Sequence, residues 1–172
     1  MRIAKLASGL AVAWLSSCSS PTVTFDATVT GNSMIPGSSV PIDLGGTLPG
    51  FGQFNLAQQA NFANQGTDKD HVRHVKVKSL TLTARAPATD LSFFTSLSFT
   101  LGAQGLPDQP IAHQTVFPAG QASVQMVVEN VDLVSYAKAD TIAIKSTAQG
   151  HSPRQDTTVD LVMVLTIEAA IL

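Results

Sequence analysis

Period-two alternation of apolar and polar residues dominates the chain after residue 21. Val23, Phe25, Ala27 and Val29 share one parity, against Thr22, Thr24, Asp26, Thr28 and Thr30 on the other. Such alternation sends successive side chains to opposite faces and predicts a half-buried strand. The last run, 157–171, carries Val159, Leu161, Met163, Leu165, Ile167, Ala169 and Ile171 on one parity, with Val162 and Val164 on the other. That pattern predicts a long central strand whose middle is covered on both sides. Between these ends, 71–86 is apolar at Val75 and Val77 and then, in opposite phase, at Leu80, Leu82 and Ala84. A bulge at Lys78-Ser79 keeps both sets on one face; a strand passing from one sheet to the other is the alternative. Further strands are predicted at 40–44, 96–101, 111–117, 121–129 and 142–148.

Turn chemistry separates these runs. Gly and Pro crowd 31–52, and Pro87, Pro107, Pro110, Pro118-Ala119-Gly120 and Gly150 break the rest of the chain. Asn55 and Gly66 are placed to start and stop a short helix over 56–64; the Asn and Gln richness of the span makes a bridging loop an equal alternative. Helical turns are expected at 90–94 and 132–138. Seven or eight strands with turns every eight to fifteen residues predict an antiparallel β-sandwich, with a closed barrel as the alternative. The architecture expected is immunoglobulin-like, without that family's Cys-Trp-Cys marks.

The first twenty residues follow a different pattern. Arg2 and Lys5 precede an apolar run from Leu6 to Leu15, which closes on Ser16-Ser17-Cys18. A charged start, a short apolar core and a small-residue end make a secretory signal, here a signal helix. A membrane-spanning helix needs roughly 20 apolar residues, and this core falls short of that. Leu15-Ser16-Ser17-Cys18 resembles the bacterial lipobox: a branched aliphatic residue, two small residues, then Cys. The resemblance implies cleavage between Ser17 and Cys18, a diacylglycerol thioether on Cys18 and a new amine open to a palmitate-type acyl chain. It also implies that Ser19, where inner-membrane lipoproteins of Gram-negative bacteria commonly carry Asp, directs the protein to the outer membrane. Stable anchoring takes about two acyl chains, which a diacyl group supplies.

Composition narrows the partners. The 172-residue chain has a formal charge of −2, and loss of Arg2 and Lys5 with the signal takes it to −4. A mildly acidic domain has no general attraction for nucleic acid. Cys18 is the single cysteine, so no disulfide forms within the chain. Trp14 lies in the signal, which leaves Tyr136 and the eight Phe residues as the domain's aromatics. That is a poor set for stacking sugar rings.

Candidate chemistry is sparse. His71 and His74 could share a metal on a helix, but their odd separation on a strand puts them on opposite faces. His113 and His151 read as surface residues. Asp68-Lys69-Asp70 has the opening of a calcium loop without the Gly and Glu that complete one, and so reads as a solvated turn. Asp156 and Asp160 read as charges that blunt a sheet edge. No serine sits in a Gly-x-Ser-x-Gly elbow.

The sequence therefore predicts an all-β protein: signal peptide 1–17, lipidated tether 18–21 and β-sandwich domain 22–172. Cys18 is the lipidation site, and the cleaved bond joins Ser17 and Cys18. No catalytic residue, metal or cofactor is expected. The function expected is a non-enzymatic lipoprotein, anchored to a bacterial membrane through Cys18 and acting by contacts with envelope proteins. A small-molecule or glycan-binding module is the second reading, and a hydrolase with a loop-built site the third.

Overall fold

The computed structural model describes residues 21–48, 50–59, 62 and 64–172. The expected signal peptide, and Ser17 and Cys18 at its expected cleavage and lipidation site, lie outside the described residues. Among the described residues there are ten strands: β1 (Thr22–Ile35), β2 (Asp43–Thr47), β3 (Gln53–Phe54), β4 (Val72–Ala84), β5 (Phe94–Ala103), β6 (Gln109–Gln114), β7 (Ser123–Gln125), β8 (Val127–Val128), β9 (Ile142–His151) and β10 (Thr157–Ala170). One short helix, α1 (Val134–Ala137), precedes β9.

The strands pair antiparallel in two sheets, which gives the expected β-sandwich. One sheet runs β1-β10-β4-β7 and the other β2-β9-β5-β6-β8, with β3 also paired to β9. Chain neighbours β1 and β2, β4 and β5, and β9 and β10 lie in opposite sheets, so the chain wraps around the core as a jelly roll. The inward faces interdigitate as one core, with Phe99, Leu80, Leu82, Leu97, Leu101 and Leu161 almost wholly buried. Removing this apolar surface from water is the main stabilising term, about 2 kcal/mol for each large side chain.

β10 lies between β1 and β4, as its parity predicts. It pairs with β1 from Thr22↔Ala170 to Ile35↔Thr157 without a shift. Against β4 it shifts twice. Val164 faces Ser79 while Leu165 faces Val77, so Lys78 is the bulged residue. Glu168 faces His74 while Ala169 faces Val72, so Arg73 is a second bulge. Each extra residue restores phase, and Val72, Val75, Val77, Leu80, Leu82 and Ala84 all face the core.

Other expectations are corrected. The outer side of β10 is not covered: Val162 is 40% exposed. Among the described residues no further layer packs there, and of its second set of valines Val162 is exposed and Val164 half-buried. The strand expected over 121–129 is two strands in different sheets. β7 pairs with β4 and β8 with β6, and the chain crosses between them at buried Met126. The helix expected over 56–64 starts as one 3-10 turn, Leu56–Gln58. Asn55 caps it, accepting the Ala57 N–H at 2.8 Å, but Gln59 is extended (φ −70°, ψ 129°) and ends the turn. Residues 60, 61 and 63 of that span lie outside the described residues.

The register defines two ends. Pro21 and the last residues share one, where Ile171 N–H donates to the Pro21 carbonyl (3.0 Å). Four connections, 36–42, 85–93, 115–122 and 152–156, gather at the other. They are stitched by Ser38 N–H to Pro153 O (2.8 Å), Ser152 N–H to Ile42 O (2.8 Å) and His151 N–H to Phe93 O (2.8 Å). Fourteen residues of β1 separate the two ends, about 45 Å at the rise of an extended strand.

Candidate functional site

A large concave surface lies on the four-loop end. A cavity of about 570 Å³ is lined by 87–90, Ser92 and Phe93 from one connection and by 152–155 and Thr157 from another. A neighbouring cavity of about 500 Å³ is lined by Ser38, Ser39, Pro41, His151, Ser152 and Arg154. The two share Ser152 and Arg154, so they form one trough with two lobes. Both volumes fall in the range of about 300–1,000 Å³ usual for ligand sites.

Its polar groups have defined roles. Asp90 accepts from Ser92 Oγ (2.6 Å), Ser92 N–H (3.0 Å) and Gly120 N–H (2.7 Å). The Ser92 hydroxyl, then these amides, hold its carboxyl below the usual carboxylate range. Ser38 Oγ accepts the Val40 N–H at 3.2 Å, and Ser152 Oγ accepts the Ile42 N–H at 3.1 Å. Each hydroxyl thus keeps its own proton for another acceptor. Asp156 Oδ1 accepts the Gly37 N–H at 2.8 Å. Among the described residues, no carboxylate lies within ion-pair distance of Arg154. Exposed Val40 and Ile42 flank Pro41 of the smaller lobe, exposed Met34 lies on β1 next to that connection, and exposed Val116 lies on the 115–122 connection at the same end.

The histidines singled out in the sequence are not brought together. His71 Nδ1 lies 2.7 Å from Asp68 Oδ1, and His74 Nδ1 lies 2.6 Å from Asp132 Oδ2. His113 Nδ1 lies 2.9 Å from Glu129 and His151 Nδ1 lies 3.1 Å from Asp43. Asp68 also caps the 3-10 turn Lys69–His71 through two backbone N–H groups, and Lys69 pairs with Asp140. Asp160 sits on central β10 and takes the Arg85 Nε–H at 2.6 Å, so it does not blunt an edge. Among the described residues no group of three or more His, Cys, Asp or Glu is arranged to hold a metal ion. Nor is any helix among them long and apolar enough to cross a membrane.

His151, Asp43 and three serines do share the smaller lobe or its border. Nucleophilic catalysis needs a serine hydroxyl on the free imidazole nitrogen. Among the described residues no serine hydroxyl of the lobe is hydrogen-bonded to His151, and the Asp43 side chain is 92% exposed. The same imidazole–carboxylate pairing recurs at all four histidines, which makes the His151 pair one of a set.

Sequence reasoning missed Arg154 as a trough residue and Asp132 as a tie between elements. Asp132 Oδ1 takes the Val75 and Val134 N–H groups (3.2 and 3.1 Å), and its Oδ2 takes His74. The turn signal Gly150 to Arg154 marked the loop. It did not mark its neighbours, which lie 60 and more residues away along the chain.

No family model matches the chain, and no curated protein matches it. Among solved structures it is similar to the decameric BFDV capsid protein, with a TM-score of 0.47 and 11% identity over 87% of this chain and 99% of that one. It is similar also to the 60-mer BFDV capsid protein, with a TM-score of 0.45 and 11% identity over 88% of this chain and 95% of that one.

Proposed function

We propose that the chain is a non-enzymatic lipoprotein of a bacterial envelope, held by Cys18 at one end of its β-sandwich and contacting an envelope protein with the other. The observation that carries this reading is the polarity of the domain. Pro21, three residues after Cys18, lies at one end, and the trough with exposed Val40, Ile42 and Val116 lies at the opposite end. A lipid on Cys18 would hold the first end at the membrane and direct the four loops away from it. Exposed apolar side chains beside a cleft are what a protein contact uses. Ser19 favours the outer membrane as the site of anchoring.

Intact mass of the membrane-fraction protein, beside a Cys18→Ala variant, tests the anchor. A chain beginning at Cys18 with added diacylglycerol and acyl mass, absent in the variant, is expected. A soluble, unmodified wild-type chain would remove the reading. A photo-crosslinking residue at Val40 is expected to yield discrete protein adducts in cells, and one at Lys138, on the anchored half, is not.

A further inference from the structure

We infer that the smaller lobe of the trough receives an acidic side chain, Asp or Glu, from an extended segment of the partner, seated on Arg154 between Ser38 and Ser152. The inference rests on the protein-contact reading above and names the chemistry of that partner.

Three observations converge on it. The lobe lined by Ser38, Ser39, Pro41, His151, Ser152 and Arg154 contains no carboxylate in its wall. Arg154 brings a planar fork of N–H donors without an acidic partner among the described residues. A guanidinium fork matches a carboxylate with two parallel hydrogen bonds. The Ser38 and Ser152 oxygens accept the Val40 and Ile42 N–H groups, and each hydroxyl's own proton remains to be donated. Two hydroxyl donors in the same wall as one cation suit an oxyanion.

The nearby acids do not compete for Arg154. Asp156 is on the Gly37 amide, Asp43 is on His151, and Asp90 is held by Ser92 and Gly120 in the other lobe. Exposed Val40 and Ile42 flank Pro41 at the lobe, so apolar residues beside the acid gain contact. A peptide fits this mixture of apolar rim and donor-lined pocket better than a free anion does.

The test is selection of a random heptapeptide library on the full chain purified in detergent. Enriched peptides are expected to carry Asp or Glu beside apolar residues. Synthetic copies should bind Arg154→Gln at least about tenfold more weakly than wild type. Arg154→Lys should recover part of the loss, and Arg73→Gln should bind as wild type does. Enrichment of peptides without acids, equal binding to Arg154→Gln, or no enrichment at all would overturn the inference. Crosslinking from Val40 in cells separates its failure from that of the reading beneath it. Adducts that persist unchanged in Arg154→Gln keep the protein contact and remove the acid, whereas no adducts in wild type remove the contact itself.

Discussion

The carbonyl oxygen of Phe51 lies 2.0 Å from the point where a β-carbon on Gly31 would stand. Gly31 is on the inward side of edge strand β1, and the 48–54 segment enters the sandwich over it. Both parties are backbone, so neither can swing aside. Gly31→Ala is therefore expected to cost about 3 kcal/mol or to expel the segment that carries buried Phe51. Gly45→Ala, where nothing lies within 4 Å, is the control and should change the urea midpoint little.

Asp132 ties the connection between β8 and α1 to β4. Burial pushes its carboxyl up, but hydrogen bonds from His74 and the Val75 and Val134 amides outweigh that and leave it below the usual range. Asp132→Ala frees the Val75 amide and should cost about 1–2 kcal/mol in denaturant unfolding. His74→Ala should cost less, because Asp132 keeps both amides.

Other carboxyls shift the same way. Lys78 lowers Asp26, His71 lowers Asp68, Ser92 lowers Asp90 and Lys69 lowers Asp140. A carboxyl depressed in the folded state contributes stability that is present above its unfolded pKa, about 4, and is lost as pH falls through the lower folded value. Thermal unfolding followed from pH 7 downward should therefore hold to about pH 4 and weaken below it.

The Lys78 bulge gives a test of register. Deleting Lys78 joins Val77 to Ser79 and leaves Val77 and Leu80 both facing inward, so the variant should fold, losing chiefly the exposed pair with Asp26. Deleting Thr81 instead turns Leu82 and Ala84 outward. That should cost several times the roughly 2 kcal/mol of one exposed leucine, or abolish folding. Circular dichroism melts of the two variants separate these outcomes.

Ser146 faces the core from β9, and its hydroxyl has no hydrogen-bond partner among the described residues. A buried hydroxyl left unpaired costs about 1–3 kcal/mol. Ser146→Ala should leave the melting temperature unchanged or raise it, and a clear drop would contradict this account.

Parity makes most of the sandwich legible in the sequence. The Lys78 bulge could be read because Val77 and Leu80 fall out of phase, and only an inserted residue lets both reach one core. The crossing at Met126 could not, because Val124, Met126 and Val128 keep perfect alternation while their hydrogen-bond partners change from β4 to β6. Alternation reports which side a residue faces and is silent on which strand lies beside it. For the same reason Val162 looked covered: two apolar parities do not say whether a second layer exists. The trough was the least legible part, since Ser38, Asp90 and Arg154 belong to three connections that meet only after both sheets have formed.

The position of β10 sets a timetable. β1 is an edge strand whose only neighbour in its sheet is β10, and that pairing joins Thr22 to Ala170. A chain that emerges N-terminus first, from a ribosome or through a channel, must hold β1 without this partner until residues 157–170 appear. Pairings this distant in sequence form slowly. The same arrangement that stabilises the finished domain leaves β1 unpaired until β10 has emerged.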